Sequence, residues 1–119
     1  MSPATTVTKD ISKELSGTWE LQKLWASDNK WTRKPVITLD YNNKTFTGNN
    51  GCNSISGKFK SSGSFIAFDK NILSTKMACP GYSEAPFTNA LLKANKFDFT
   101  DGALELSQDD IVLLSFKKQ

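Results

Sequence analysis

From residue 15 onward, short apolar runs are separated by clusters of Asn, Asp, Gly and Ser, and this spacing constrains the fold more than any other feature. Runs of this length between turn residues are typical of antiparallel strands. The stretch "KFDFTDGALEL" is the clearest case, because Phe97 and Phe99 alternate with polar residues and Asp101-Gly102 suits a two-residue turn. The pattern predicts a mainly β chain, with a small antiparallel meander that forms a barrel-like sheet.

Further runs predict the other strands. "GTWELQKL" alternates as a strand with one solvated face does, and predicts a first strand at about residues 18–24. "VITLDYNNKTFTG" predicts a hairpin around Asn42-Asn43, a pair that tolerates left-handed backbone. The next predicted segments of the meander are residues 55–60, the run "FIAFD" and a short piece at 71–75. The last run, "IVLLSF", is apolar on both faces, which favours a strand that is covered on both sides or closes a barrel.

One helix is predicted at about residues 83–94. Ser83 is the expected N-cap, with Glu84 and Pro86 in the first turn. Apolar residues at i, i+3, i+4 and i+7 form a single stripe, which consists of Phe87, Ala90, Leu91 and Ala94. We expect this stripe to lie on the sheet or to close an open end of it.

The length of 119 residues fits one domain, with a body at 15–119. Residues 1–14 are polar and predict a short disordered tether without the apolar core of a secretory signal, so such a signal is either absent or removed. A tether of this kind is found after a lipid-anchored cysteine in exported proteins, and a bland disordered terminus looks the same. No run of eighteen apolar residues is present, so membrane attachment is expected only through such an anchor.

The charged residues and the missing histidines exclude several classes of function. Fifteen basic residues against twelve acidic ones are scattered along the chain, which argues against a nucleic-acid site. Without histidine, the chain has no His-dependent triad and no His-ligated zinc, and two cysteines fall short of a four-ligand zinc site. No phosphate-binding glycine loop is found, and Asp109-Asp110 is expected in a hairpin turn. The interpretation is a non-enzymatic monomer without metal or cofactor.

Cys52 and Cys79 are the two candidates for special chemistry. Each lies at a predicted strand end beside turn residues, where a cross-link between neighbouring segments is easiest to build. This placement favours a disulfide. An inert reduced pair and a reactive thiol remain open, since Lys76 and the start of the predicted helix are near enough to lower the pKa of a Cys79 thiol.

Trp25, Trp31 and Tyr82 lie in polar loops. Aromatic side chains there can form a binding patch, because they offer a large contact area at low entropic cost. They can also act as lids over the end of a barrel, and this second interpretation is favoured.

The order of the motifs resembles the META domain family, which includes HslJ-like heat-shock proteins. The matching stretches are "LSGTWELQKL", "FTGNNGCNSISGKF", "STKMACPG", "EAPFTNALL", "KFDFTDGALELS" and "VLLSF", which together span about residues 15–116. The resemblance implies a small, lipocalin-like antiparallel fold in proteins that are often exported or lipid-anchored in bacterial envelopes and are linked to heat and antibiotic stress. It implies no known activity or ligand.

The family signature falls on six residues of this chain: Gly51, Cys52, Asn53, Thr75, Met77 and Cys79. A structural role is expected for them, with a tight backbone at Gly51, an Asx turn at Asn53 and a core position for Met77.

Two hypotheses follow for the function. The first is a non-enzymatic, stress-associated envelope domain, a lipoprotein in the periplasm or on the outer membrane, that contacts an unknown protein or envelope component. The second is a barrel that encloses a small apolar ligand, with the three loop aromatics around its mouth.

Overall fold

A computed structural model of the protein describes residues 11–25, 27, 30–31 and 33–119. These residues form a ring of antiparallel strands, and one helix packs against it. A 3₁₀ turn, Ile11–Leu15, precedes the first strand. The strands and the helix follow along the described chain as β1 (Gly17–Leu24), β2 (Val36–Asp40), β3 (Thr45–Asn49), β4 (Ser54–Ser62), β5 (Phe65–Phe68), β6 (Leu73–Ser74), α1 (Ala85–Lys93), β7 (Lys96–Thr100), β8 (Ala103–Gln108) and β9 (Ile111–Lys118).

Eight of the strands in the described chain close into the ring. Hydrogen bonds join them in the order β3, β2, β1, β9, β8, β7, β5 and β4, and pairing of β4 with β3 completes the circle. The short strand β6 extends the sheet by pairing with β4 at Ile55 and Ser56. The prediction of a mainly β, barrel-like antiparallel fold is confirmed.

The contact between β5 and β7 is the thinnest part of the ring. One residue pair joins the two strands, Phe65 with Lys96. Next to it, the Phe97 N–H donates to the Ser64 carbonyl at 2.9 Å. Helix α1 packs on β5 and also on β1, β8 and β9, so it lies across strands on both sides of this seam.

Apolar side chains fill the inside of the ring. Alternation along β1 buries Trp19 and Leu21, and the Trp19 indole N–H donates to the Leu15 carbonyl at 2.8 Å. The largest fully buried side chains are Phe46, Phe59, Phe87, Phe97, Phe116, Leu15, Leu21, Ile37, Leu39, Ile66, Leu91 and Leu104. These side chains occupy the space that an enclosed apolar ligand would need.

Two predicted hairpins form, but their turns differ in detail. At Asp101 and Gly102, φ is 52° and 81°, so both residues are left-handed as a type I′ turn requires. The first hairpin has a four-residue turn, 41–44, and its left-handed residue is Lys44 rather than Asn42 or Asn43. Asn43 instead donates to the Asp40 carboxylate at 2.7 Å, which stabilises the turn without left-handed backbone at the asparagines.

The helix confirms the predicted apolar stripe but not the predicted cap. Phe87, Ala90 and Leu91 are buried and face the core. The N-cap is Glu84, not Ser83, and no side chain caps the helix by a hydrogen bond. The reason is that the Glu84 side chain is held by residues of a distant turn, described below.

The predicted tether is too long at its C-terminal end. Residues 11–15 form the 3₁₀ turn, in which Ser12 and Leu15 are buried, so the packed body begins by Ile11. Residues 1–10 of the predicted tether, and residues 26, 28, 29 and 32 of the first loop, lie outside the described residues. Within the described chain, no helix has the length and apolar character to span a membrane.

Candidate functional site

The only two cysteines of the chain form a disulfide. Cys52 lies in the turn between β3 and β4, and Cys79 lies in the segment between β6 and α1, with their Cα atoms 6.0 Å apart. The predicted disulfide is confirmed, so neither cysteine is a free thiol. We call the turn 50–53 together with the segment 75–84 the clasp.

Asn50 shapes the turn of the clasp. Its side chain is buried, and Oδ1 accepts hydrogen bonds from the backbone N–H groups of Cys52 at 3.1 Å and Asn53 at 2.8 Å. This is the geometry of an Asx turn. The other end of the same amide, Nδ2, donates to Glu84 Oε1 at 2.6 Å. Asn50 therefore folds its own turn and also joins it to the start of α1.

Asn53 connects the turn to the segment after β6. Its Oδ1 accepts from the Met77 N–H at 2.6 Å and from the Thr75 hydroxyl at 2.8 Å. Its Nδ2 donates to Glu84 Oε2 at 2.9 Å. The Thr75 hydroxyl oxygen in turn accepts from the Ser54 N–H at 3.1 Å. One buried amide thus holds three separate points of the segment.

Glu84 is the residue on which both asparagines converge. Each of its carboxylate oxygens has an amide donor, Asn50 for Oε1 and Asn53 for Oε2. Its backbone carbonyl accepts from the Thr88 N–H at 3.1 Å, the first such bond of the helix. The start of α1 is therefore positioned by the turn between β3 and β4.

Tyr82 covers the turn. Its hydroxyl donates to the Asn50 carbonyl at 2.5 Å, and its ring lies so close to Gly51 that a Cβ atom there would overlap it. Gly51 is buried with φ of 98°, which agrees with the tight backbone expected there. Burial of the Tyr82 hydroxyl raises its pKa above the ordinary value of 10.0, and the negative charge of Glu84 contributes a smaller increase.

Two of the roles expected for the signature residues are wrong. Met77 does not fill the core, because its side chain is 58% exposed and its part in the clasp is made by its backbone. Asn53 does not make the Asx turn, because Asn50 does. The side chain of Asn53 reaches across to distant groups instead.

The side chains of Asn50, Asn53 and Glu84 are hydrogen-bonded to one another and to the backbone of the clasp. The sulfur atoms are bonded together, and the side-chain oxygens of Asn50, Asn53 and Glu84 all accept hydrogen bonds within the clasp. In the part of the chain that the structure describes, no group of three His, Cys, Asp or Glu side chains is placed to hold a metal ion. Such an arrangement rigidifies a fold, since a fully satisfied buried network specifies one packing.

Comparison with protein families gives a match to the META domain over residues 13–119. This chain belongs to the META domain family. No curated protein sequence matches that of this META domain.

Solved structures of similar fold exist at low sequence identity. The NMR structure of a protein from Burkholderia xenovorans superimposes with a TM-score of 0.72 at 20% identity, covering 100% of this chain and 94% of that one. The crystal structure of a DUF4847 family protein from Bacteroides vulgatus gives 0.63 at 20% identity, covering 88% and 95%. A further NMR structure gives 0.62 at 22% identity, covering 87% and 90%. At these identities, the likeness shows the fold of the META domain alone.

The three loop aromatics of the META domain have different surroundings. Tyr82 is half-buried in the clasp, and Trp31 is half-buried against the core. Trp25 is 47% exposed, with the Lys23 ammonium 4.6 Å from the centre of its ring. A covering role agrees with the positions of Tyr82 and Trp31, whereas a binding patch that uses all three residues stays a prediction.

Sequence reasoning missed the roles of Asn50 and Glu84. Their side chains are in contact across 34 positions of sequence, a separation at which no helical or strand period applies. The sequence signal that could have found them is the pairing of a turn rich in Asn with an acidic residue just before a helix that has no acidic residue in its first turn.

Proposed function

We propose that this META domain is a non-enzymatic module of the bacterial cell envelope that acts by contact with another protein or an envelope component, and that it supports tolerance of stress. In its native setting it is a lipoprotein, held at the membrane by an N-terminal lipid. The observation that carries the proposal is the clasp, in which a disulfide joins Cys52 to Cys79 and the Asn53 amide is hydrogen-bonded to Thr75, Met77 and Glu84.

The disulfide supports the proposed compartment. Disulfides persist in oxidising environments such as the periplasm and the cell surface, and are rare in the cytosol. The bond between Cys52 and Cys79 is therefore compatible with an extracytoplasmic location.

The clasp also supports a role without catalysis. A nucleophile or general base needs a reacting atom free to meet a substrate. In the clasp, the sulfur atoms and the carboxylate of Glu84 are committed to bonds inside the protein. The enclosed-ligand alternative loses support from the packed interior, where Phe46, Phe59 and Phe97 are among the fully buried side chains.

The test is a complementation experiment in the native host under heat stress, with the gene deleted and the protein supplied at graded levels. A module that acts by contact must be present in amounts comparable to its partner, so we expect rescue to rise in proportion to protein level. An enzyme turns over, so full rescue at a small percentage of the native level would contradict the non-enzymatic role.

A second arm of the same experiment tests the location. The protein is expressed either with an export signal and lipid-anchor cysteine or without them. We expect rescue only from the exported form. Rescue of equal strength by the cytosolic form, confirmed as reduced by alkylation and intact mass, would contradict the envelope assignment.

A further inference from the structure

Strand β6 has one edge without a partner strand. It pairs with β4 on one side, and no described strand pairs with its other side. The Thr75 N–H donates to the Ser54 carbonyl at 3.1 Å, so the backbone of Thr75 points toward β4. Neighbouring residues of an antiparallel strand direct their backbone hydrogen-bonding groups to opposite sides. The N–H and carbonyl groups of Ser74 therefore point away from β4, to the unpaired side.

This unpaired edge continues past β6 into the clasp. The Met77 N–H points to the same side as that of Thr75, since it donates to Asn53 Oδ1 at 2.6 Å. By the same alternation, the N–H and carbonyl groups of Lys76 point to the unpaired side, as those of Ser74 do. We call residues 73–77 the open edge. It presents two outward N–H groups to an added strand.

Strand β7 also has a free edge, but that edge is protected. β7 pairs with β5 through Lys96, and Phe99 lies beyond this contact. The Phe99 N–H donates to the carboxylate of its neighbour Asp98 at 2.8 Å. A charged side chain in such a position discourages the addition of another strand. Among the described residues, no acceptor is found for the N–H groups of Ser74 and Lys76.

Leu73 gives the open edge an apolar contact point. Its side chain is 73% exposed, more than that of any other large apolar residue that the structure describes. Its ladder partner is Ser56, which pairs in turn with Thr47, so the three side chains form one row on the outer face of the sheet. The groove of about 540 Å³ beside Leu73 is otherwise lined by Ile55 and by small residues of β3, β4 and the open edge. An apolar side chain of an added strand fits such a groove.

The charge along the open edge is positive. Residues 70–78 contain two lysines, Lys70 and Lys76, and no acidic residue. Both lysines are exposed, and neither makes an ion pair with a residue that the structure describes. The nearby Asp69 accepts from the Asn71 N–H at 2.9 Å. Acidic side chains near the ends of an added strand would complement this charge.

We propose that the open edge accepts an extended, acidic segment of a partner protein as an additional strand. Hydrogen bonds with the backbone of Ser74 and Lys76 supply affinity, and the groove beside Leu73 and the two lysines supply specificity. The exposed side chain of Met77, which has no place in the core, lies at the end of the same edge. This inference deepens the proposed function, on which it rests, because it assigns the face of contact and the chemistry of the partner.

A designed peptide tests the open edge directly. The full chain, labelled with ¹⁵N, is titrated with the acetylated and amidated peptide EVTVTVE at about 0.15 M salt. We expect amide shifts at residues 72–77, and slower exchange with solvent at the amides of Ser74 and Lys76. Two control peptides separate the contributions. EVTPTVE keeps the charge but cannot form a regular strand, and KVTVTVK keeps the strand pattern but reverses the charge. Both should bind at least several-fold more weakly.

Variants of the protein make the test specific. Ser74→Pro removes an outward N–H without removing a hydrogen bond to β4, and should weaken binding of EVTVTVE at least about tenfold. Its matched control, Ser74→Ala, keeps that N–H and should bind like the unchanged protein.

A second pair of variants tests the charge. Lys70→Gln/Lys76→Gln should weaken binding several-fold, since each exposed charge pair contributes up to about fivefold. It should also reduce the preference for EVTVTVE over KVTVTVK. The control, Lys93→Gln/Lys117→Gln, removes the same charge from exposed positions elsewhere and should bind like the unchanged protein.

Several outcomes would overturn the inference. One is the absence of shifts at the open edge at up to about 1 mM EVTVTVE. Another is equal binding of EVTPTVE, which decides the matter even where Ser74→Pro loses its fold. Shifts of the same amides that depend on protein concentration without peptide would assign the edge to a second copy of this chain instead. In the complementation experiment, dose-proportional rescue by folded Ser74→Pro, equal to that of the unchanged protein, would leave the contact role standing and remove the open edge from it.

Discussion

The turn between β3 and β4 and the turn between β7 and β8 are both built from Asn, Asp and Gly, yet they are held in different ways. In the second, Asp101 and Gly102 are exposed and a side chain at Gly102 would meet no other atom within 4 Å. In the first, Asn50, Cys52 and Asn53 are buried, and in addition to the local bonds of Asn50 they contact partners that lie 22 to 34 positions away. One turn is held by its own residues, and the other is held by distant residues as well.

This difference has an energetic consequence. A change in the local turn affects only the backbone preference of one or two residues. A change in the clasp leaves buried polar groups without partners or releases a chain segment, both of which cost more. The predictions below test this contrast, from the largest expected effect to the smallest.

The largest effect is expected from removal of the disulfide. Cys52→Ser/Cys79→Ser should lower the free energy of unfolding by about 3–4 kcal/mol, because the bond closes a loop with a sequence separation of 27. Urea unfolding measures the loss, and reduction of the unchanged protein should reproduce it. Hydrogen exchange should quicken most at clasp amides and least at β7 and β8. Unchanged stability, or uniform quickening, would contradict a clasp that is distinct from the hairpin.

Asn53→Ala tests the buried network of the clasp without touching the disulfide. It removes the acceptor of the Met77 N–H and Thr75 hydroxyl and a donor to Glu84, so we expect a loss of about 2–4 kcal/mol.

Asn95→Ala is the matched control for Asn53→Ala. Asn95 is exposed and makes a similar two-way amide contact, with Asp109 at 2.8 and 3.2 Å. Water replaces such bonds, so its loss should stay below about 1 kcal/mol. If urea unfolding shows the same loss of unfolding free energy for the two variants, burial of the Asn53 amide contributes nothing to stability.

Gly51 and Gly102, two of the glycines with positive φ, give a closer comparison. Gly102→Ala should cost about 1 kcal/mol, since only the backbone preference changes. Gly51→Ala should cost about 2–3 kcal/mol, because the new methyl group also overlaps the Tyr82 ring. In a Tyr82→Ala background, the cost of Gly51→Ala should fall toward that of Gly102→Ala. A cost that does not change in that background would show that the overlap is not the cause.

The same contrast explains which parts of the molecule could be predicted from its sequence. The β7–β8 hairpin, the strand alternation and the helix stripe all follow from periods and turn preferences within about a dozen residues. The pairing of the disulfide could be predicted because the chain has only two cysteines, and its location could be predicted because both cysteines lie beside turn residues.

The network inside the clasp could not be predicted in the same way. Asn53 looked like a local turn residue and Met77 like a core residue, because those are the usual roles of their types. Their observed roles depend on Glu84 and Thr75, whose positions are known only once the ring has closed. The missed N-cap has the same cause, since the Glu84 side chain that begins the helix bonds to residues more than thirty positions away.

The smallest effect concerns the Tyr82 hydroxyl. Tyr82→Phe removes its bond to the Asn50 carbonyl and should lower stability by about 1 kcal/mol at pH 7. The difference should shrink above pH 10. Because burial raises the pKa of this hydroxyl in the folded state, the unfolded chain releases the proton first, so alkaline pH favours unfolding of the unchanged protein. Tyr82→Phe has no such proton. Urea unfolding between pH 7 and 11 measures the gap in unfolding free energy between the unchanged protein and Tyr82→Phe. Tyr41→Phe is the control, because it keeps Tyr82 and should lose stability at alkaline pH as the unchanged protein does. A gap that stays constant over this range would show that the Tyr82 hydroxyl is not buried by the clasp in solution.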